Sequence, residues 1–261
     1  MIIASYLIAG VFAGLTAGLF GVGGGLVVVP ILIFAFEAQG FPNDILTHMA
    51  IGTSLATIVF TSTSSVISHH KKGAVLWSVF KPMSAGIALG AVIGVLTIVQ
   101  LDGQLLKKMF GVFAVGVSLK MLISPLHYEG RDLPSPPLLA VIGVFVAWVS
   151  SLFGIGGGTL TVPLLSRYRI AMKQVVGTAA ACGLPIALFA SISNMLIGQG
   201  VLGRPEWSVG YVYLPALLGI SLASVYFAKV GAHFAHRLSS VLLRRLFSIF
   251  LMLVGIRFLI I

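Results

Sequence analysis

Two copies of one glycine-rich phrase carry the groups best suited to chemistry in this chain. Residues 19 to 30 read L-F-G-V-G-G-G-L-V-V-V-P, residues 152 to 163 read L-F-G-I-G-G-G-T-L-T-V-P, and eight of the twelve aligned positions are identical. A glycine cluster offers bare backbone. Inside an apolar stretch it is costly unless that backbone must be approached closely or must turn unusually. A helix that begins at such a break presents its first amides without intrahelical partners. Those amides, together with the helix dipole, hold an anion without a full positive charge, and successive glycine amides form a nest around an oxyanion. The chemistry implied is anion binding. It would use Gly21, Gly23, Gly24 and Gly25 from the first phrase and Gly154, Gly156, Gly157, Gly158 and Thr159 from the second.

Hydroxyls stand near these breaks. Thr53 and Ser54, with Thr178 in the matching place, can donate to an oxyanion without adding charge; the same groups also serve as hydrogen bonds between helices, and both readings stand. Thr57 and the run Thr61, Ser62, Thr63, Ser64, Ser65 fit back-bonding to helix carbonyls better. Cys182 lies four residues after Thr178, on the same helix face. It joins the candidate lining, as does the deep polar residue Asn194, although a single cysteine is more often an inert buried thiol. His48, His69 and His70 lie near segment ends and read as interfacial rather than as a proton relay. Scattered glycines such as Gly86, Gly90 and Gly94 read as close helix packing.

Other chemistries lack their residues. No Lys-Ser or Lys-Thr follows the glycines, as a phosphate-binding loop requires, and no βαβ unit surrounds them. No nucleophile-elbow or H-E-x-x-H pattern appears, so no enzyme activity is expected. The single cysteine rules out an internal disulfide and a multi-cysteine metal site; neither a metal nor a cofactor is expected.

The elements that position these residues belong in a membrane. Of 261 residues only 8% are charged and 58% are hydrophobic, and mean hydropathy is +1.11. A water-facing globule carries about 25% charged residues, and a spanning helix needs about 20 apolar residues. The chain reads as an all-α polytopic membrane protein. Its net charge of +10 comes from Lys and Arg near segment ends, so it marks membrane orientation and gives no reason to expect nucleic acid. The first twenty residues read as a retained helix rather than a signal peptide. Apolar segments run at 2–20, 26–36, 47–67, 74–99 and 105–124, then at 137–153, 159–165, 174–198, 209–229 and 240–260.

These segments form two repeats, 1–124 and 137–261, joined by a Pro-rich and charged linker at 125–136. Gly52-Thr53 recurs as Gly177-Thr178, and L-L-K-K-M-F at 105–110 recurs as L-L-R-R-L-F at 242–247. The segment 26–36 reaches only about 16 Å, half the hydrocarbon core, so each glycine phrase is expected to form a re-entrant or discontinuous helix pair. With five elements per repeat the repeats are inverted, and twelve of the sixteen Lys and Arg residues fall on one face. The positive-inside rule makes that face cytoplasmic and leaves both termini outside. An inverted, broken-helix duplication is a transporter pattern with its site at the repeat interface.

The chain resembles the TauE/SafE sulfite exporter family of bacterial anion permeases. The resemblance lies in L-F-G-V-G-G-G and its second copy, in Pro30 and Pro163, in A-I-G-T-S at 50–54 and in V-G-T at 176–178. It implies an inner-membrane exporter of sulfite, sulfonates such as sulfoacetate, or related small anions. An anion-selective channel with two re-entrant hairpins, or a permease for another organic anion, is the alternative. The partners expected are the anion and the bilayer, and no oligomeric state is implied. All six acids (Glu37, Asp44, Asp102, Glu129, Asp132, Glu206) are placed in connections, so no carboxylate proton relay is expected.

Overall fold

The structure is a computed structural model that describes residues 2–20, 24–123, 130–235 and 240–260. It is all-helical apart from one short hairpin. The helices are α1 (Ile2–Phe20), α2 (Gly25–Ala38), α3 (Asn43–Lys71), α4 (Trp77–Val99), α5 (Gly103–Ile123), α6 (Pro136–Leu152), α7 (Gly158–Leu165), α8 (Met172–Ile197), α9 (Leu214–Ala235) and α10 (Ser240–Ile260). These ten helices follow the ten apolar segments in order. α3, α4 and α8 with the short turn after it are each long and apolar enough to cross a membrane. α2 and α7 are not: 14 and 8 residues reach about 21 and 12 Å against a core of about 30 Å.

Two boundaries differ from expectation for local reasons. α2 runs on through Glu37, a residue placed in a connection by its charge, because Lys107 Nζ meets that carboxylate at 2.7 Å. α9 starts at Leu214 rather than 209, because Gly210 takes a positive φ of 57° and turns Ser208–Val209 (β1) back onto Val212–Tyr213 (β2) as an antiparallel pair. Glycine at the first position of a two-residue turn is what such a hairpin needs.

The main pairings between the halves come in matched sets. α1 packs on α9 and α6 on α4; α3 packs on α9 and α8 on α4; α3 packs on α8 and α5 on α10. Exchanging the first five helices for the last five returns the same set. Small residues set the closest of these contacts. A Cβ on Gly90 would run into the carbonyl of Val144, one on Gly86 into that of Ala140, and one on Gly143 into that of Met83. In the matching α1–α9 contact, a Cβ on Gly14 would lie 2.7 Å from the Ser224 carbonyl oxygen and one on Gly10 2.8 Å from that of Ile220. The large side chains at these interfaces point outward, where Leu89, Phe145, Leu218 and Phe12 are exposed as a lipid-facing surface requires.

Gly90→Leu is therefore expected to destabilise the protein by about 1–3 kcal/mol or more, read as a lower unfolding temperature in detergent. Gly116→Leu, at a glycine whose Cβ position has no neighbour within 4 Å, should leave that temperature within about 2 °C, a shift of no more than ~1 kcal/mol.

Candidate functional site

The two glycine breaks meet. Gly24 caps α2 with φ 75°, in the left-handed region, and Gly154 ends the α6 turn with φ 62°. Only glycine takes these conformations without strain. A Cβ on Gly25 would lie 2.6 Å from the carbonyl oxygen of Gly154 and 2.6 Å from Cα of Ile155. The first break is thus in backbone contact with the second. Ser54 Oγ, from α3, donates to the Gly154 carbonyl at 2.8 Å. A Cβ on Gly157 would lie 2.8 Å from the amide nitrogen of Gly183 on α8, and one on Gly183 would lie 3.6 Å from Ser62 Oγ on α3. Both breaks are therefore held in the α3–α8 crossing.

Among the described residues, the amides of Gly25 and Leu26 at the start of α2, and of Gly156, Gly157 and Gly158 at the start of α7, donate to no backbone carbonyl outside a helix, and first-turn amides have none within one. Gly21 and Gly23 lie outside the described residues. Thr159 is partly buried in the first turn of α7. The two breaks are not conformational copies: Gly157, aligned with Gly24, has φ −56°.

A small cavity of about 10 Å³, room for about one water, opens beside Gly24. Its polar wall is Thr57, Thr61 and Ser224, and Ala13, Val28, Ile58 and Ile220 complete it. Thr57 Oγ1 donates to the Ser54 carbonyl at 2.7 Å and Thr61 Oγ1 to that of Ile58 at 3.2 Å. These threonines back-bond to helix carbonyls and also line the cavity. Their spacing of four was the available signal. Ser224 is contributed by α9, and no local pattern marks it.

The other expected site residues divide. Thr53 Oγ1 accepts the amide of Tyr213 at 3.0 Å, and Thr178 Oγ1 accepts that of Leu76 at 2.9 Å. Cys182 is fully buried beside Gly183, at the second break. Asn194 is fully buried too but stands eleven residues further along α8, about 16 Å from Gly183. It is not brought to the breaks. Its Nδ2 donates to the Ala190 carbonyl at 2.8 Å, and its backbone carbonyl accepts the Tyr211 amide at 3.1 Å.

Two placements correct the sequence reading. His48, near the start of α3, is buried within the protein rather than exposed: its ring stacks on Tyr211 at 5.3 Å, and Nε2 lies 3.1 Å from the carbonyls of Ile98 and Leu101 at the end of α4. Glu37 and Asp44 do not lie in connections: they sit in the last turn of α2 and the first turn of α3. Asp44 suits the positive end of its helix dipole and Glu37 opposes the negative end of its own. Glu37 is compensated by Lys107, the one Lys or Arg that is buried among the described residues, whose Nζ also lies 5.5 Å from the Phe258 ring centroid. The short arm that begins at the first glycine break is thus anchored at its far end to α5 and α10. The Glu37 side chain keeps 32% exposure, so Glu37→Ala should cost about 1–3 kcal/mol, below the ~3–5 of a fully buried pair. Replacing both residues, as Glu37→Ala with Lys107→Met, should recover most of that loss in thermal unfolding.

Comparison with known proteins gives this arrangement a family. The family model described as "Sulfite exporter TauE/SafE" matches residues 6–258. A "Probable membrane transporter protein" of Haemophilus influenzae is 38% identical over 251 residues, covering 96% of this chain and 95% of the relative. One of Methanocaldococcus jannaschii is 29% identical over 264 residues, with 96% and 92% covered. A third, from Bacillus subtilis, is 27% identical over 269 residues, with 95% and 94% covered. No solved structure matches the chain. Matched over nearly its whole length, this membrane-embedded chain belongs to the sulfite exporter TauE/SafE family of membrane transporters.

Proposed function

We propose that this transporter exports small sulfur-containing anions, sulfite or sulfonates such as sulfoacetate, and holds the anion between its two glycine breaks. The observation that carries the reading is the backbone contact of Gly25 with Gly154, beside first-turn amides from α2 and α7. An anion held by amides and helix dipoles needs no lysine at its site, and the buried Lys107 is occupied by Glu37. Thr57, Thr61 and Ser224 stand where they would contact an anion leaving the breaks toward the cavity.

The matched helix pairings support two inverted repeats of five elements, α1–α5 and α6–α10, with α2 and α7 as arms that return without spanning. Basic residues support the cytoplasmic assignment of one face. The linker residue Arg131 bridges in parallel to Tyr168, which puts Arg131, Arg167 and Arg169 together, and Lys71 and Lys72 end α3 on the side where Thr178, near the start of α8, meets Leu76. By the positive-inside rule this is the inner face of the cell membrane and the termini are outside. A cytoplasm-negative potential then drives a monovalent anion outward by about 2.3 kcal/mol per 100 mV, with no coupling ion required. The small size of the cavity favours a carrier over an open channel.

Reconstituted protein should show saturable sulfite flux that loses its uphill component when the potential is clamped to zero. Gly24→Val and Gly157→Val should each lower that flux at least about a hundredfold, the effect of removing ~2.7 kcal/mol of stabilisation, while folded protein persists in the membrane. Normal flux in both variants would make the phrases packing devices.

A further inference from the structure

Each Gly-Thr pair of the long central helices grips the segment that enters the fourth helix of the opposite half. On α3, a Cβ on Gly52 would lie 2.7 Å from the carbonyl oxygen of Tyr211, and Thr53 Oγ1 accepts the amide of Tyr213. On α8, a Cβ on Gly177 would run into the carbonyl of Ala74, and Thr178 Oγ1 accepts the amide of Leu76. The offset is the same in both grips: the glycine meets the residue two before the one whose amide the threonine takes. Glycine is required for close backbone approach, and threonine satisfies an amide that entry into a helix leaves without a partner.

The grips stand at opposite ends of the α3–α8 crossing. Tyr211 N bonds the Asn194 carbonyl near the end of α8, and Ala74 N bonds the His69 carbonyl near the end of α3. Between them lie the contacts of the breaks, Ser54 with Gly154 and Gly183 with Gly157. We infer that these two grips are the two closures of the transport path, released one at a time, with Thr53 and Thr178 as positioning residues; the inference rests on the reading of an anion held between the breaks. A net hydrogen bond of about 0.5–1.5 kcal/mol is weak enough to open in each turnover. An opened grip leaves a helix-entry amide that water must satisfy, so opening one end wets the path from that end alone.

Cys182, the single cysteine of the chain, reports on this directly. It is fully buried, one turn beyond Thr178 and next to Gly183. Membrane vesicles are exposed on one face at a time to a charged, impermeant methanethiosulfonate, with no transported anion present. Thr178→Val should speed labelling about three- to tenfold, the factor that one lost hydrogen bond supplies, only from the face that bears Lys71 and Lys72. Thr53→Val should do so only from the face that bears Asp102 and Glu206. Thr178→Ala should behave as the valine variant, and Thr→Ser at either position should restore the wild-type rate. Equal acceleration from both faces, or no acceleration in any variant, overturns the closures. Because the assay contains no anion, that failure would leave the glycine site standing, whereas failure of the glycine site is read separately, as normal flux in the glycine variants.

Discussion

A helix interrupted inside a membrane must find partners for the backbone groups it frees. Water is absent there, and each unpaired group costs several kcal/mol. This chain lays one glycine break against the other, where Gly25 touches Gly154, and packs the second break on α8, where Gly157 touches Gly183. Much else follows from that placement. α3 and α8 cross at the breaks, and α2 and α7 are both too short to cross a membrane. The hydroxyl of Ser54 is spent on the Gly154 carbonyl. Among the described residues, the first amides of α2 and α7 meet no backbone carbonyl outside a helix. On the proposed reading an anion suits the breaks because it accepts from several such donors at once.

The arms are held differently at their far ends, and so are the breaks. α2 is tied through Glu37 to Lys107, and the Arg257 guanidinium lies 5.6 Å from the Phe34 ring centroid. α7 is half as long and runs directly into a turn whose Arg169 Nε donates to the Gly130 carbonyl at 2.6 Å. Gly24 is left-handed where Gly157 is right-handed, and a small cavity opens beside Gly24.

Much of the fold is legible in the residues. Hydropathy and glycine place all ten helices, and the eleven-residue stretch before Glu37 already shows that α2 is too short to span. The glycine phrases are legible as partners because their duplication implies a common axis. What escapes is long-range pairing. Thr53 finds Tyr213 and Thr178 finds Leu76 across 160 and 102 residues, and no local pattern names either partner. Glu37 reads as a loop acid because nothing nearby in sequence neutralises it; the neutralising Lys107 is 70 residues away. His48 reads as interfacial from its place near a helix start, and only the packing of Tyr211 over it shows that it is buried. Asn194 is correctly a deep polar residue, but its depth belongs to the β1–β2 hairpin rather than to the breaks.

The central claim concerns where an oxyanion sits, and a heavy analogue locates it without any assumption about transport. Structure determination with selenite in place of sulfite, using the selenium anomalous signal, measures this directly in protein without selenomethionine. The account predicts one peak within hydrogen-bonding reach of the amides that begin α2 and α7, between Gly25 and Gly157. A peak at the basic rim of Lys71, Lys72 and Arg167 with none at the breaks would contradict it.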